Sequence, residues 1–311
     1  MIDLVVIMGP TASGKSALAM QLAERLGGEI ISADSMQLYR GLEIGTAQPL
    51  LAERQKVRHH LVGIWDLSQK SDVFSYCKLA DAAIADTVSR HKIPIVCGGT
   101  GMYLKALLYG LDDLPADPKL RRELDERYDS AAGEAALHTL MAQLDPTALA
   151  KWQNCRRRLI RALEVKMLTG KSLLSFQTGN AAGRYGFLAA WKIELPPEVL
   201  RKKIAARTEA MLASGWIDEA RSAIAAGLLE TPTAHQALGY RLIGQYLNGE
   251  FSRDELKQRL ITATWQYARR QRTWFRHQHP DITPLQRSDL TEDEIAALKN
   301  AISRSRKGGA S

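Results

Sequence analysis

Short apolar runs alternate with longer segments of helical periodicity in the first third of the chain. The apolar runs lie at residues 4–8, 29–33 and 93–97, and the helical segments lie at 15–26 and 74–90. Buried strands that alternate with amphipathic helices are typical of a parallel sheet covered by helices on both faces. The pattern therefore predicts an α/β fold for this part of the chain.

The strand signal stops at Leu114-Pro115-Ala116-Asp117-Pro118 and does not return until residues 187–195. Helical periodicity fills the interval in four segments, at 120–128, 134–144, 146–152 and 158–168. Further helical segments follow at 197–212, 217–226 and 254–277, and the small, basic tail at 303–311 is expected to fray. We therefore predict an α/β core domain formed by residues 1–115 and 187–311, interrupted by an all-helical insertion domain at 116–186.

The composition narrows the class of protein. With 311 residues, of which 45% are hydrophobic and 24% charged, the chain resembles globular proteins rather than disordered or fibrous ones. Cys77, Cys97 and Cys155 form no CxxC pair, which favours a reducing compartment and gives no support to a structural zinc site. The apolar run behind Met1 is too short for a signal peptide or a membrane span. We expect a cytoplasmic protein with no membrane partner.

Residues 9–16 match the phosphate-binding pattern G-x-x-x-x-G-K-S/T at every fixed position, between a predicted strand and a predicted helix. In this motif backbone N–H groups and the helix N-terminus surround phosphate oxygens. Lys15 adds a positive charge, and Ser16 offers a ligand for Mg²⁺. We therefore predict that a di- or triphosphate and Mg²⁺ bind at Gly9, Pro10, Thr11, Ala12, Ser13, Gly14, Lys15 and Ser16.

The loop does not identify the reaction. An ATPase or GTPase normally adds an apolar strand that ends in a magnesium-binding Asp, whereas the run at 93–97 ends in Gly98-Gly99-Thr100-Gly101. Residues 61–66 end in Asp66 but contain a glycine, so they are a weak candidate for that strand. Hydrolysis of ATP and release of the bound phosphates as a leaving group both stay open at this point.

Asp34 and Thr100 each follow a predicted strand. Ligands of open α/β sheets gather where the strands end at their carboxyl side, so both residues are expected beside the phosphate loop. A carboxylate there can accept a proton or bind an amine, and Gln37 carries the donor and acceptor that suit a base edge. Alone, Asp34 would be interpreted as a turn or cap residue. Its place beside the loop favours a catalytic role.

The net charge of +8 favours a polyanionic partner, and its distribution indicates nucleic acid. Four arginines fall within residues 156–161, and residues 265–277 interleave arginines with aromatic residues at helical spacing. Arginines contact phosphates, while rings and guanidinium planes stack on unpaired bases. The alternative is that Trp265, Trp274 and Phe275 are core residues of a helix that the arginines solvate.

The adjacent histidines His59 and His60 could suggest a metal site. Neighbouring residues of a strand point to opposite faces, and no Cys, Glu or third His has matching spacing. We therefore interpret both as structural or hydrogen-bonding residues.

Six strings of the chain together resemble the tRNA dimethylallyltransferases, also called tRNA isopentenyltransferases. The phosphate loop is shared with many nucleotide enzymes, whereas the string that begins at Asp34 and the carboxyl-terminal Arg/Trp string are far more specific. Gln48, Gly63 and residues 154–157 depart from the family pattern without touching the groups expected to react. The strings lie in the family's order at residues 9–16, 34–47, 98–103, 158–164, 236–241 and 270–276.

The resemblance implies a P-loop NTPase-like parallel sheet flanked by helices, with an all-helical insertion domain that contacts tRNA. It implies transfer of a dimethylallyl group from dimethylallyl diphosphate to N6 of the adenosine 3′ of the anticodon, position 37, in tRNAs that read codons beginning with U. The partners would be the tRNA anticodon stem-loop and dimethylallyl diphosphate. We expect a monomer.

The resemblance also implies individual roles. Asp34 would orient the amine and take its proton, Thr100 would hydrogen-bond substrate, and Lys15 and Arg121 would neutralise the diphosphate together with Mg²⁺ at Ser16. The target base would be flipped into the crevice. The residues implied in tRNA binding are Asp34, Ser35, Met36, Gln37, Thr100, Arg121, Arg157, Arg158, Leu159, Ile160, Arg161, Gln236, Ala237, Leu238, Gly239, Tyr240, Arg241, Arg269, Arg270, Gln271, Arg272, Thr273, Trp274, Phe275 and Arg276.

Three other functions compete with this one. A phosphate-loop kinase or ATPase requires a strand-terminal magnesium Asp. A prenyltransferase that acts on free adenine nucleotides needs neither arginine cluster nor a large insertion. A non-catalytic RNA-binding protein leaves Asp34 and the phosphate loop without a use.

Overall fold

The computed structural model describes residues 2–110, 114–176, 183–279 and 281–308, with side chains to residue 303. Six parallel strands form one sheet in the order β3-β2-β4-β1-β5-β6. This arrangement confirms the predicted parallel sheet. The strands are β1 (Asp3–Met8), β2 (Gly28–Ala33), β3 (His59–His60), β4 (Ile93–Gly98), β5 (Gly186–Ile193) and β6 (Thr283–Leu285).

Thirteen helices are found in the described residues, together with three short 3₁₀ turns. They are α1 (Lys15–Leu26), α2 (Leu51–Lys56), α3 (Val73–Ser89), α4 (Gly101–Tyr109), α5 (Pro118–Arg127), α6 (Ala131–Leu144), α7 (Pro146–Trp152), α8 (Arg156–Thr169), α9 (Pro197–Ala213), α10 (Trp216–Ala225), α11 (Tyr240–Leu247), α12 (Arg253–Gln278) and α13 (Glu292–Gly308). None of the described helices is both long and apolar enough to span a membrane.

The sheet is covered on both faces. Val5 and Ile7 of β1 belong to a core cluster with residues of α1, α9, α12 and α13. Leu4 and Val6, which point to the opposite face, are also fully buried. Two buried faces explain why this strand is a continuous apolar run instead of an alternating one.

The strand register brings three chain segments together at the carboxyl edge of the sheet. Met8 pairs with Gly98 between β1 and β4, and Gly98 pairs with Ala33 between β4 and β2. The residues that follow these strand ends are the phosphate loop, Asp34 and Thr100. The topology therefore brings together the three segments that the sequence selected.

The chain divides into two compact units, Met1–Leu108 with Gly183–Ser311, and Tyr109–Ala182. Both bounds of the second unit lie a few residues earlier than the predicted insertion at 116–186. Its helices α5 to α8 surround a core that includes Leu124, Met141 and Trp152. Three of the helices begin at side-chain caps, from Asp117, Ser130 and Asp145.

Some elements were missed and one prediction was wrong. The short helices α2, α4 and α11, of six to nine residues, and the three-residue strand β6 were not predicted. Residues 61–66 form no strand, which removes the weak candidate for a magnesium-binding Asp at a strand end. The tail predicted to fray from residue 303 instead continues α13 to Gly308, and residues 309–311 lie outside the described part.

A buried ion network fixes α3 against β2 and β3. Glu29 of β2 is 6% exposed, and its carboxylate accepts hydrogen bonds from both Nη atoms of Arg90. His60 Nε2 lies 2.7 Å from Glu29 Oε2 and His59 Nδ1 lies 2.8 Å from the carbonyl oxygen of Val57, which confirms that both histidines are hydrogen-bonding residues. Arg90 and His60 lower the Glu29 pKa to about 2 although burial opposes the shift.

Replacing Glu29 by Gln tests this network. A carboxylate with a folded pKa of about 2, against 4.5 ordinarily, stabilises the fold above pH 4.5 and loses that contribution as the pH falls toward 2. The shift corresponds to about 3 kcal/mol. Urea denaturation should therefore show a free energy of unfolding that falls more steeply between about pH 5 and pH 2 in the wild type than in Glu29→Gln. Parallel pH profiles would contradict this account.

Candidate active site

The phosphate loop connects β1 to α1 with a conformation that needs glycine at its end. Gly14 caps α1 with a φ of 93°, in the left-handed region that side chains disfavour. A Cβ at this position would also lie 2.5 Å from the Cβ of Ser288. The strand, loop and helix predicted around the motif are confirmed, so the N–H groups of the first turn of α1 face the loop.

A cavity of about 400 Å³ opens at this loop. Three cations line it: Lys15 from α1, and Lys203 and Arg207 from α9. Burial lowers the pKa of Lys15, and the nearby Asp34 carboxylate opposes that shift. The sequence predicted Lys15 but missed both cations of α9.

Arg207 is partly buried. Its Nη2 donates a hydrogen bond to Thr11 Oγ1 in the loop, and burial lowers its pKa while Asp34 raises it. In the described part of the chain, neither Lys15, Lys203 nor Arg207 forms an ion pair within 4.0 Å of a carboxylate. A partly desolvated cation without a counter-ion is costly, so this cavity suits a polyanion.

Asp34 lines the same cavity. Its Oδ1 accepts a hydrogen bond from the backbone N–H of Met36 at 3.0 Å, which is the turn role considered from the sequence. No hydrogen bond to Oδ2 is found among the described residues. One carboxylate oxygen thus fixes the side chain, and the other is available to a ligand in the cavity.

Thr100 stabilises the turn that holds Asp34. Its Oγ1 accepts a hydrogen bond from the N–H of Ser35 at 3.0 Å, and its own N–H donates to the carbonyl oxygen of Ala33 at 3.1 Å. Tyr267 of α12 lies near the Thr100 side chain. Thr100 itself is not among the residues that line the cavity, so the predicted bond to substrate stays a prediction.

Gln271 of α12 connects the phosphate loop to the loop before α4. Its Oε1 accepts the N–H of Thr11 at 2.8 Å, and its Nε2 donates to the carbonyl oxygen of Gly99 at 2.8 Å. The residue is 6% exposed. Its amide is buried and bonded inside the protein, and the predicted contact of Gln271 with tRNA stays a prediction.

Gln37 also holds neighbouring backbone. Its Oε1 accepts the hydroxyl of Ser32 at 2.9 Å, and its Nε2 donates to the carbonyl oxygens of Thr46 and Ala47 at 3.1 and 2.9 Å. A contact with a base edge, as predicted, requires at least one of these bonds to open or the second lone pair of Oε1 to be used. The prediction stays untested.

Glu219 anchors the segment that forms the rim of the cavity. Its carboxylate accepts the N–H groups of Ile44 and Gly45 at 2.7 and 2.8 Å and the hydroxyl of Tyr240 at 2.6 Å. Tyr240 is fully buried, and no pattern in the sequence singles out Glu219. Ala237, Gly239 and Tyr240 are buried, whereas Gln236 and Arg241 are exposed, and the predicted tRNA contacts of residues 236–241 stay predictions.

The exposed face of α12 is basic. Arg269, Arg270, Thr273 and Arg276 are exposed at helical spacing, and Arg272 is partly exposed. Among the rings of this helix, Phe275 is 1% exposed, as the core alternative predicts, whereas Trp265, Tyr267 and Trp274 are partly exposed. Trp274 packs on Gly101, where a Cβ would lie 2.1 Å from its Cδ1, and Arg201 stacks on Trp265 with the guanidinium carbon 4.4 Å from the ring centroid.

In the second unit the arginine cluster is divided between structure and surface. Leu159 and Ile160 are fully buried in the core of that unit, and their predicted contact with tRNA stays a prediction. Arg121 and Arg161 both donate to the buried Glu164 carboxylate, which they hold ionised by lowering its pKa against the effect of burial. Arg157 and Arg158 are exposed.

The spatial partners of this cluster were hidden in the sequence. Glu164 is the only acidic residue close to it along the chain, but Arg156 lies within 4.0 Å of both Asp125 and Asp129 and donates to the carbonyl oxygen of Tyr128. Acidic residues of another helix therefore neutralise part of a cluster that appears unbalanced in sequence.

Two sequence signals point to the residues that were missed. Lys203 and Arg207 are four positions apart on the helix that follows β5, so they share a face. Gln271 interrupts a mainly apolar buried stripe of α12 that includes Leu260, Ala268 and Phe275. A polar residue on a buried stripe must find internal hydrogen-bond partners, and this requirement identifies it as structural.

Comparisons with known proteins agree with this geometry. The family model for IPP transferase matches residues 37–278. The tRNA dimethylallyltransferase of Geobacter metallireducens is 45% identical over 279 residues, which cover 88% of this chain and 89% of that protein. The tRNA dimethylallyltransferase of Corynebacterium jeikeium is 42% identical over 278 residues, covering 88% of each chain.

Two solved structures share the fold. The full-length tRNA isopentenylpyrophosphate transferase from Bacillus halodurans superposes with a TM-score of 0.71 at 34% identity, over 100% of this chain and 98% of that chain. A eukaryotic dimethylallyltransferase acting on tRNA superposes with a TM-score of 0.77 at 27% identity, over 94% of this chain and 75% of that chain.

The family model spans more than half of the chain, and the two relatives are 45% and 42% identical to it over 88% of its length. The chain therefore belongs to the IPP transferase family and is a prenyl-transferring enzyme.

Proposed function

We propose that the protein transfers a dimethylallyl group from dimethylallyl diphosphate to N6 of the adenosine 3′ of the anticodon in tRNA, in tRNAs that read codons beginning with U. One observation carries the proposal: unpaired cations that suit a diphosphate and a carboxylate that suits an amine line a single cavity. A hydrolase of nucleoside triphosphates is not favoured, because the strand-terminal Asp it would need is not formed at residues 61–66.

The diphosphate would lie in the phosphate loop between α1 and α9. Lys15, Lys203 and Arg207 would supply its counter-charges, and the N–H groups of the loop would bind its oxygens. Negative charge grows on the diphosphate as the C1–O bond breaks. Cations already held in place stabilise that transition state without reorganisation, so they lower the barrier to departure of the leaving group.

The donor set around the loop fits Mg²⁺. Ser16 supplies a hydroxyl oxygen to the cavity, and Mg²⁺ usually takes one or two protein oxygens and completes its shell with phosphates and water. No group of three or more Asp, Glu, His or Cys residues that could form a dedicated metal cage occurs in the described residues. The bound ion would add charge neutralisation at the leaving group.

Asp34 would act on the nucleophile. The N6 lone pair forms a bond to C1 of the dimethylallyl group while the C1–O bond breaks and its electron pair leaves with diphosphate. The N6 proton passes to the Asp34 carboxylate. The bond from Met36 N–H to Oδ1 fixes this side chain, so Oδ2 is the oxygen that would receive the proton.

Exposed arginines would bind the anticodon stem-loop. Arg269, Arg270 and Arg276 on α12 would contact phosphates, and so would Arg157 and Arg158 in the second unit. The target base would leave the stack to reach the crevice. The predicted role of Arg121 at the diphosphate stays a proposal, in which the ion pair with Glu164 would orient its guanidinium. We further propose a cytoplasmic enzyme that acts as a monomer, since one chain supplies every group named here.

Replacing Asp34 by Asn or Ala tests the proposed base. Asp34→Asn retains the size of the side chain but removes its charge, so the single-turnover rate with a saturating stem-loop should fall by roughly 10² or more. The affinity for the stem-loop, measured by filter binding, should stay within about twofold of the wild type. A wild-type rate in either variant would remove Asp34 from the mechanism.

Replacing Gln271 by Ala separates a positioning role from an RNA contact. The loss of two buried hydrogen bonds leaves Thr11 N–H and Gly99 O without partners, so kcat/KM for dimethylallyl diphosphate should fall by about 10- to 100-fold. Binding of the stem-loop should change by less than about twofold. Gln266→Ala, on the exposed face of the same helix, is the matched control. Weaker RNA binding with an unchanged KM for dimethylallyl diphosphate would indicate that Gln271 contacts tRNA instead.

Reversing the charges of Arg272 and Arg276 tests the RNA-binding face of α12. The double variant Arg272→Glu/Arg276→Glu should weaken stem-loop binding and reduce the salt dependence of log K by about 1 for each phosphate that the variant no longer binds. Arg253→Glu/Arg259→Glu makes the same charge change on the first turns of the helix, where Arg259 is paired with Glu255. An equal effect of both double variants would mean that net charge alone, and not this face, binds RNA.

A further inference from the structure

A second cavity, of about 440 Å³, lies beside the first in the same unit. We call it the annex. Its walls are mainly apolar and come from the segment between Ile44 and Leu51 and from the last turns of α9, at Ala210 and Met211. The reaction proposed above, with a five-carbon donor, leaves this cavity without a use.

The annex is continuous with the phosphate cavity. Ala47, Gln48, Pro49 and Arg207 line both. Residues of one face of α9 line the two cavities in turn. The cations Lys203 and Arg207 lie at the phosphate cavity, and the apolar side chains of Ala210 and Met211 lie at the annex. With a rise of about 1.5 Å per residue, the apolar side chains begin only about 5 to 6 Å beyond Arg207. A ligand that spans both cavities must therefore have an anionic end and an apolar end.

The mouth of the annex exposes apolar surface. Leu50 and Leu51, at the start of the short helix α2, are 70% and 73% exposed. Two adjacent leucines in water beside an apolar cavity are typical of a binding surface. The wall at Ile44 is preformed, because Glu219 holds the N–H groups of Ile44 and Gly45.

We propose that the annex receives the hydrocarbon chain of a prenyl diphosphate longer than the five-carbon donor, and that the enzyme therefore also uses the ten-carbon geranyl diphosphate. This inference rests on the proposed function. C1 of the donor must lie near Asp34, which lines the first cavity and not the annex. A five-carbon group is confined near that carbon, whereas a second isoprene unit extends past Arg207 into the annex.

The chemical step is the same for both donors. The N6 lone pair forms the bond to C1, the C1–O bond breaks, diphosphate leaves with the electron pair, and the N6 proton passes to Asp34. Only the apolar contacts differ. Removal of apolar surface from water drives binding of the hydrocarbon chain, so a second isoprene unit is bound tightly only if the annex is open to it.

The experiment compares the two donors on the anticodon stem-loop with the full chain and Mg²⁺, and identifies the products by mass. In the wild type, kcat/KM for geranyl diphosphate should lie within about tenfold of that for dimethylallyl diphosphate. Ala210→Trp fills the annex and should lower the ten-carbon to five-carbon ratio of kcat/KM by about tenfold or more. Ala213→Trp, the same substitution at an exposed residue outside the lining, should leave the ratio as in the wild type.

A second pair of variants avoids any change to a packed helix. Leu51→Asp places a charge at the mouth of the annex on a largely exposed residue and should also lower the ratio. Its neighbour Ala52 is exposed and lies outside the lining, so Ala52→Asp is the control.

Three results would overturn the inference. The first is use of the five-carbon donor without any ten-carbon product. The second is an equal loss with both donors in Ala210→Trp and Leu51→Asp, since this would make the annex structural. The third is turnover of neither donor by the wild type, which refutes the proposed function itself and removes the basis of this inference with it.

Discussion

Unpaired positive charge at the carboxyl edge of the parallel sheet is the constraint on which the site depends. Lys15 and Arg207 are partly withdrawn from water, and burial lowers the pKa of both. Neither has a carboxylate counter-ion within 4.0 Å in the described residues. Such an arrangement is costly for the fold alone, and a bound diphosphate relieves the cost. The same edge carries Asp34, so a leaving group and a nucleophile can meet there.

Buried polar side chains hold the loops around that edge in register. Gln271 joins the phosphate loop to Gly99, and Glu219 holds the rim at Ile44 and Gly45. The side-chain amide of Gln37 likewise hydrogen-bonds to both Ser32 and Ala47. Loops at strand ends carry few backbone ladder bonds, so side chains must satisfy their N–H and C=O groups. The precision of the site therefore derives from residues that do not touch the reacting atoms.

The sequence predicted the parts of the fold that are local. Continuous apolar strands, a phosphate loop in strand-to-helix context and an aspartate after the next strand each leave a signal within a few residues. What it could not predict are contacts made across long separations. Thr11 and Arg207 are 196 positions apart, and Thr11 and Gln271 are 260 apart, so only the folded sheet brings them together.

The strings that resemble the family's tRNA-binding strings contain both buried and exposed residues. Leu159, Ile160, Gln271 and Phe275 lie inside strings that resemble the family's tRNA-binding strings, yet all four are buried. The arginines between them do reach the surface. A string can therefore be specific for a family because one of its faces binds RNA and the other packs the core, and sequence alone does not separate the two faces.

We propose that one cavity holds the leaving diphosphate and the attacking amine together. A crystal structure with a non-reactive thiolodiphosphate analogue of the donor and an anticodon stem-loop would test this arrangement. We expect the analogue's diphosphate within hydrogen-bond distance of Lys15 and Arg207, and adenine N6 about 2.6 to 3.2 Å from Asp34 Oδ2. A diphosphate bound away from these cations, or an adenine whose amine faces a group other than Asp34, would contradict the account.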